Sequence, residues 1–86
     1  MVGSVRFDGV RFVAYPQDHE PIHLHGFYAE TEVIFDLRIA TGEVALAHRS
    51  DAIRPGAAKR SDVKHVLNVA AAHFVLLVEL WEQAHA

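Results

Sequence analysis

The sequence contains no cysteine, only three prolines and a single tryptophan in 86 residues. Without cysteine, disulfide frameworks, thiolate metal sites and cysteine nucleophiles are excluded. Long apolar runs are also lacking: even the stretch from Phe74 to Trp81 is interrupted by Glu79, whereas a membrane span needs about 18 apolar residues. The first residues carry neither the charged nor the apolar region of a signal peptide. We therefore expect a soluble, cytoplasmic protein with no membrane partner.

Neither sign of charge dominates the chain. Eight Lys and Arg residues stand against eleven Asp and Glu residues, which gives a net charge of -3 with neutral histidines. This balance is not typical of a general nucleic-acid binder, so nucleic acid is not expected as a partner. A single domain of this size buries only about 60–65% of its unfolded surface. Apolar residues nevertheless make up 51% of the sequence, more than one small core readily buries, and we therefore expect a homodimer.

The Asp8-Gly9 pair lies between two alternating apolar stretches and predicts a two-residue hairpin turn, because both central positions of a type I′ turn need a positive φ. The predicted register puts four apolar side chains on one face: Val5, Phe7, Val10 and Phe12. It leaves Arg6 opposite Arg11 on the other face. Two like charges opposed in this way are mildly unfavourable. Two interpretations stay open: both side chains are solvated, or both bind an anion or an acidic partner.

Further strands follow the hairpin. Strand alternation resumes at Ile22, continues from Val33 to Ile39, and returns from Glu43 to His48. Gly26 interrupts the first of these strands and marks either a bulge or a close approach of the backbone to another element. The stretch 49–60 has no periodicity and a basic bias, so we expect a loop there that is either mobile or functional.

A helix is predicted from Ser61, a good N-cap residue, towards residue 85. One apolar stripe at helical spacing is expected to cover the sheet: Val63, Val66, Leu67, Ala70, Phe74, Leu77, Val78 and Trp81. A second stripe of Val69, Leu76 and Leu80 needs another partner. That partner is a second subunit, unless the helix breaks near His73 and hides the stripe within the same chain. In the first case the oligomer interface is expected at Phe74, Val75, Leu76, Leu80 and Trp81.

Together these elements predict an α+β fold in a single domain of residues 1–86. An antiparallel meander of four or five strands covers about 4–48, a loop covers 49–60, and a long C-terminal helix covers about 61–85 and packs across one face of the sheet.

The densest chemistry lies in one stretch that holds three of the seven histidines: Asp18-His19-Glu20-Pro21-Ile22-His23-Leu24-His25. His23 and His25 point to the same face of a strand, and His19 could fold over from the loop as the third ligand of one metal ion. Three imidazoles with an open position are the ligand set of a catalytic zinc, although nickel, copper and iron accept the same set. Two other interpretations stay open: structural histidines bonded to their neighbours, and metal-free acid–base or phosphate-contacting groups.

Four stretches occur in a distinctive order: Arg6-Phe7-Asp8-Gly9-Val10-Arg11-Phe12, then Tyr15-Pro16, then His19-Glu20-Pro21-Ile22-His23-Leu24-His25, and finally Leu77-Val78-Glu79-Leu80-Trp81. They resemble the small bacterial family of unknown function DUF4160, in which a strand pair precedes an E/D-H-x-P-P-H-x-H motif and the last helix ends in a leucine-rich stretch with tryptophan. This chain departs from the pattern at Ile22, which replaces the second motif proline, and in a longer 49–60 region. It also has Phe74-Val75-Leu76 in place of a charged first turn. The resemblance carries the candidate site over as His19, His23 and His25.

The resemblance implies no established activity. The genes of family members resemble small stand-alone genes, often beside the gene of another small uncharacterised protein. This arrangement is similar to toxin–antitoxin modules or mobile gene cassettes. The leading hypothesis is a small accessory or toxin–antitoxin-like binding protein, which associates with itself or with a small partner protein and is not an enzyme. It is based on the helix with two apolar stripes and on the lack of a complete catalytic constellation. The alternative is a metal-dependent hydrolase or ribonuclease-like enzyme that uses His19, His23 and His25, with either Arg6 and Arg11 or the basic loop 49–60 holding a phosphate. It requires these basic groups on the same side as the histidines. A third hypothesis is a metal or pH sensor whose assembly changes when the histidines are protonated.

Overall fold

A computed structural model describes residues 3–17 and 21–86 of the chain. It contains six strands and two helices in the order β1 (Gly3–Phe7), β2 (Val10–Ala14), β3 (His23–Tyr28), β4 (Thr31–Arg38), β5 (Glu43–Leu46), β6 (Ile53–Arg54), α1 (Arg60–Ala72) and α2 (Phe74–Ala84). The first five strands form an antiparallel sheet in sequence order, and both helices pack on one face of it. The predicted α+β meander is confirmed.

The β1–β2 hairpin has the predicted turn and register. Asp8 and Gly9 have φ values of 48° and 80°, as a turn of this kind requires. Phe7 pairs with Val10, and Arg6 pairs with Arg11. The two arginines therefore project from the face opposite the apolar side chains, as local alternation predicts.

The β4 strand is the central element of the second half of the sheet. Its C-terminal part, from Phe35 to Arg38, pairs with β5, and its N-terminal part, Glu32 and Val33, pairs with β6. The prediction of a loop without regular structure over 49–60 is wrong at β6. Backbone hydrogen bonds to β4 order this short stretch, and in one of them the N–H of Ile34 donates to the carbonyl of Ala52 at 2.7 Å. These long-range hydrogen bonds pair backbone N–H and C=O groups that have no partner within their own segment.

The C-terminal helix is broken at His73, the second of the two predicted alternatives, and its two parts are bent by 84°. The bend lets α1 lie over β3, β4 and β5 while α2 lies over β1 and β2. The predicted N-cap is wrong: the cap is Lys59, whose extended backbone directs its carbonyl to accept hydrogen bonds from the N–H groups of Asp62 and Val63. Ser61 lies inside the first turn.

The core lies between the sheet and the two helices. Its fully buried members include Val10, Phe12, Leu24, Val33, Phe35, Val66, Ala70 and Leu77. Gly26 marks a close approach: a Cβ atom at this position would lie 2.5 Å from Cγ1 of Val66 on α1. The glycine therefore allows α1 to pack directly on the backbone of β3.

No single helix among the described residues has the length and apolar composition needed to cross a membrane. The bent pair α1 and α2 meets that test only when the two helices are taken together.

Candidate functional site

The face of the sheet away from the helices carries almost all of the polar side chains singled out from the sequence, and we call it the open face. Strand register assigns to it, in neighbouring rows, Arg6, Arg11, Val13, His23, His25, Phe27, Glu32, Ile34, Asp36 and Arg54. The pairing runs from Arg6 to Arg11, from Arg11 to Phe27, and from Phe27 to Glu32. Since alternate residues of a strand share a face, His23 and His25 lie on the same side of the sheet as both arginines.

His25 is held on the open face by contacts on several sides. Its Nδ1–H donates to Oε2 of Glu32 at 2.8 Å, and both side chains are mostly buried, with 13% and 18% of their surface exposed. Its ring also contacts the edge of Tyr15, with the ring centroids 4.8 Å apart. Val13 and Ile34, its direct neighbours on the two adjacent strands, are both buried. These contacts fix the ring orientation, so Nε2 is the nitrogen through which His25 would act on a ligand.

Glu32 links His25 to a chain of ion pairs at the β6 edge. Arg54 approaches Oε1 of Glu32 at 3.7 Å and also donates to Asp51. Arg49 donates to the same aspartate, and hydrogen bonds from Arg49 and then Arg54 hold the pKa of Asp51 well below its usual range. Sequence reasoning missed this network because the predicted strand begins only at Val33, one residue after Glu32, and Arg54 lies in the predicted loop. The alternation Glu32, Ile34, Asp36 was the one local signal available.

His23 lies at the other end of β3 from the β3–β4 turn. Its Nδ1–H donates to the carbonyl of Pro21 at 3.2 Å, and its ring centroid is 6.1 Å from that of His25 and 5.9 Å from that of Trp81. His85, which sequence analysis did not consider, stacks on Trp81 at 3.7 Å.

The predicted metal site remains a prediction. Its third ligand, His19, lies outside the described residues, together with Asp18 and Glu20. Within residues 3–17 and 21–86, no three His, Asp or Glu side chains are grouped so that they could hold a metal ion. Of the predicted ligands, the structure describes the imidazoles of His23 and His25, whose ring centroids are 6.1 Å apart, and a carboxylate hydrogen-bonded to His25.

Two further histidines lie on the helix side, where they hold the tip of the β1–β2 hairpin. The Nε2–H of His65 donates to the carbonyl of Asp8 at 3.0 Å, and the ring of His73 stacks on Phe7 with the centroids 3.9 Å apart. Neither ring reaches the open face, and His48 is exposed after the end of β5. These three residues have local structural surroundings rather than a common site.

Arg6 and Arg11 have a different setting from the arginines near β6. The guanidinium of Arg11 lies 4.8 Å from the ring centroid of Phe27, and Arg6 is exposed beside it. In the part of the chain that the structure describes, no carboxylate lies within 4 Å of either guanidinium. The predicted anion-binding pair is therefore brought together with an aromatic ring, and its ability to bind an anion remains a prediction.

The predicted oligomer interface is divided by the fold. Leu80 and Trp81 are only 5% exposed because they pack in this chain's own core, so little of either side chain is left for contact with a second subunit, and their part in an interface remains a prediction. Val75 and Leu76 remain 70% and 50% exposed, and Phe74 is half-buried. With the exposed Ala71 and Ala72 they form the apolar patch at the helix bend, which we call the corner patch: Ala71, Ala72, Phe74, Val75 and Leu76.

These features define a small α+β domain with a helix-covered face, an ordered open face and an apolar corner. The chain belongs to the DUF4160 family, a domain of unknown function, whose family model matches residues 9–82. No curated protein and no solved structure matches the chain.

Proposed function

We infer that this chain is a small cytoplasmic binding protein that works by association, as accessory proteins of toxin–antitoxin modules or mobile gene cassettes do. A second copy of the chain is the partner we propose first, and a small partner protein the second. The observation that carries this proposal is the corner patch, where Val75 and Leu76 are the two largest exposed apolar side chains of α2.

The corner patch has the chemistry of an interface. Contact with water does not stabilise an exposed Val or Leu side chain at a helix bend. Complete burial of such a side chain in an interface stabilises an assembly by about 1.5–3 kcal/mol. Two side chains alone do not offset the about 4–15 kcal/mol that association costs in lost freedom. The patch continues, however, along a groove towards the edge strand β1, lined by Val5, Phe7, Leu76, Glu79, Leu80 and Gln83. A two-fold interface would use this whole surface twice.

The association proposal is tested by the paired substitution Val75→Lys and Leu76→Lys, which puts two charges in the middle of the corner patch. We expect the unmodified protein to form dimers in sedimentation velocity runs over a range of concentrations, and the double variant to stay monomeric. Ile39→Lys is the control, because Ile39 is 59% exposed, follows the end of β4 and lines neither the corner patch nor the groove beside it. This control should dimerise normally.

A strictly monomeric unmodified protein would refute the homodimer. Co-purification with a small protein encoded beside it would then be the remaining form of the association proposal, and the double variant should lose that protein as well. Circular dichroism of each variant checks that the fold is intact.

A second candidate function is an enzyme acting on phosphate esters, either ribonuclease-like or a metal-dependent hydrolase. The specific observation in its favour is that His23, His25, Arg6 and Arg11 share the open face, which such an enzyme requires. In this proposal His25, oriented by Glu32, moves a proton at its Nε2 atom, and the two arginines hold the phosphate. With His19 as third ligand, His23 and His25 would instead hold a metal, for which zinc suits the ligand set best.

Two measurements separate these enzyme forms. Metal analysis of protein purified without an affinity tag, compared with the His23→Ala and His25→Ala double variant, should give one bound metal ion that the variant loses if the hydrolase form is correct. A ribonuclease assay in the presence of a chelator should give cleavage that the same variant loses if the metal-free form is correct. If no bound metal is found and no cleavage occurs, the enzyme proposal is refuted and association remains the proposed function.

A further inference from the structure

We propose that the open face is a binding platform for single-stranded nucleic acid, with Phe27 stacking on a base and Arg6 and Arg11 contacting the phosphates. This goes beyond association through the corner patch, which lies on the helix side of the sheet. It also requires no catalysis by the histidines.

The aromatic part of the platform is a row of rings along β3. The rings of His25 and Phe27 are nearly parallel, at 14°, with their centroids 6.5 Å apart, and Tyr15 meets His25 edge-on. Phe27 is half-buried, so part of its ring is accessible at the surface of the sheet. Rings presented by the middle of a sheet stack on unpaired bases in several single-strand binders, because every base has a π-face.

The charged part of the platform is the arginine pair on β1 and β2. Arg6 and Arg11 are directly opposite each other, which is unfavourable for two like charges in the absence of an anion. A phosphate between them would relieve this repulsion, and a guanidinium forms the two-pronged hydrogen bonds that phosphate accepts. The guanidinium of Arg11 lies over the Phe27 ring, so a base would stack either on the guanidinium plane or on the ring after Arg11 turns to the phosphate. Either arrangement puts the base and the phosphate next to each other, as they are in a nucleotide.

Charge is distributed unevenly over the open face, and this favours a polyanion at one end of it. At the β6 edge the acids Glu32 and Asp51 are already engaged by His25, Arg49 and Arg54. At the β1–β2 edge the cations stand without a nearby carboxylate among the described residues. The net charge of -3 made nucleic acid an unexpected partner, but that sum describes the whole chain, whereas the proposed contact depends on the local pair Arg6 and Arg11.

The first test measures binding of fluorescein-labelled oligouridine and oligothymidine of about ten nucleotides by fluorescence anisotropy, a length within the usual site sizes. Titrations begin at about 50 mM salt and are repeated at higher salt. We expect both strands to bind. The thymidine strand lacks the 2′-hydroxyl and so cannot be cut by a ribonuclease-like reaction, which keeps binding separate from the enzyme proposal. Tighter binding of oligouridine would identify the ligand as RNA. Equal binding of the two oligonucleotides would mean that the platform accepts a strand with either sugar.

Variants distinguish the two kinds of contact. Arg11→Ala should weaken binding and reduce the slope of log K against log salt by about 0.7, the value for one lost phosphate contact to a single strand. Phe27→Leu keeps an apolar side chain but removes the stacking ring, so it should weaken binding about five- to hundredfold without changing that slope. Phe27→Tyr keeps the ring and should bind normally. Lys64→Ala removes the same charge as Arg11→Ala from an exposed position on α1 and should have no effect.

Three results would overturn the proposal. The first is no anisotropy change up to about 100 µM protein, the weak end of non-specific binding. The second is tighter binding to a duplex than to the single strand, since paired bases cannot stack on Phe27. The third is an equal loss of affinity in Lys64→Ala and Arg11→Ala, which would mean attraction to charge anywhere on the chain.

Discussion

Substitution of Gly26 by alanine tests how closely α1 packs on the sheet. The added methyl carbon would lie 2.5 Å from Cγ1 of Val66, 3.3 Å from Cε1 of Phe12 and 3.4 Å from Cε1 of Phe35. Carbon atoms pack best at about 3.5–4.0 Å, so the contact with Val66 is about 1 Å too short. Val66 is fully buried and β-branched, and its χ1 is restricted in a helix, so its methyl group cannot rotate away.

The cost of Gly26→Ala follows from this overlap. Overpacking a buried site destabilises by about 1–3 kcal/mol. Alanine recovers part of this, up to about 1 kcal/mol, because glycine loses more backbone freedom on folding. The 2.5 Å contact puts this site in the upper part of that range, about 2–3 kcal/mol, so we expect a net loss of about 1–2 kcal/mol in the free energy of unfolding. For a domain of this size that lowers Tm by about 4–16 °C.

The assay is urea and thermal unfolding at one fixed protein concentration, because dimerisation would make stability depend on concentration. A double-mutant cycle with Val66→Ala isolates the overlap: in that background Gly26→Ala should cost nothing or stabilise. Gly56→Ala is the control, since a Cβ there meets no atom within 4 Å. An unchanged Tm for Gly26→Ala, or an equal loss with and without Val66, would refute the close packing.

Two further predictions concern stability on the two sides of the sheet. Leu24→Ala empties a fully buried site on β3 and should lower the free energy of unfolding by about 2–5 kcal/mol, whereas Leu46→Ala at a 37% exposed site should cost less than about 1 kcal/mol in the same urea titration. Asp51→Asn removes an exposed carboxylate whose pKa is lowered by Arg49 and Arg54. A lowered folded-state pKa stabilises the fold above the ordinary aspartate pKa of about 3.9 and loses this effect as pH falls through the folded value, so the variant should melt below the unmodified protein at pH 6 and approach it in acid. A Tm difference that stays constant down to about pH 2 would contradict this explanation.

Sequence alone determined the features that depend on local chemistry. The Asp8-Gly9 turn and the alternation around it fixed the hairpin register, and with it the opposition of Arg6 and Arg11, because a two-residue turn leaves one pairing for the flanking strands. Alternation also put His23 and His25 on one face. The order of these motifs along the chain was sufficient to identify the family, which the match over residues 9–82 establishes.

Only the tertiary structure decided the rest, because it depends on contacts between residues far apart in the chain. The helix breaks at His73 so that two apolar segments cover different strands, and this buries Leu80 and Trp81 while leaving Val75 and Leu76 exposed. The short β6 is ordered by its pairing with β4, which brings Arg54 to Glu32 and so builds the ion-pair chain behind His25. Helical periodicity left the break at His73 as one of two alternatives, and loop composition carried no information on β6, since both report the propensity of a segment and not the surface against which it packs.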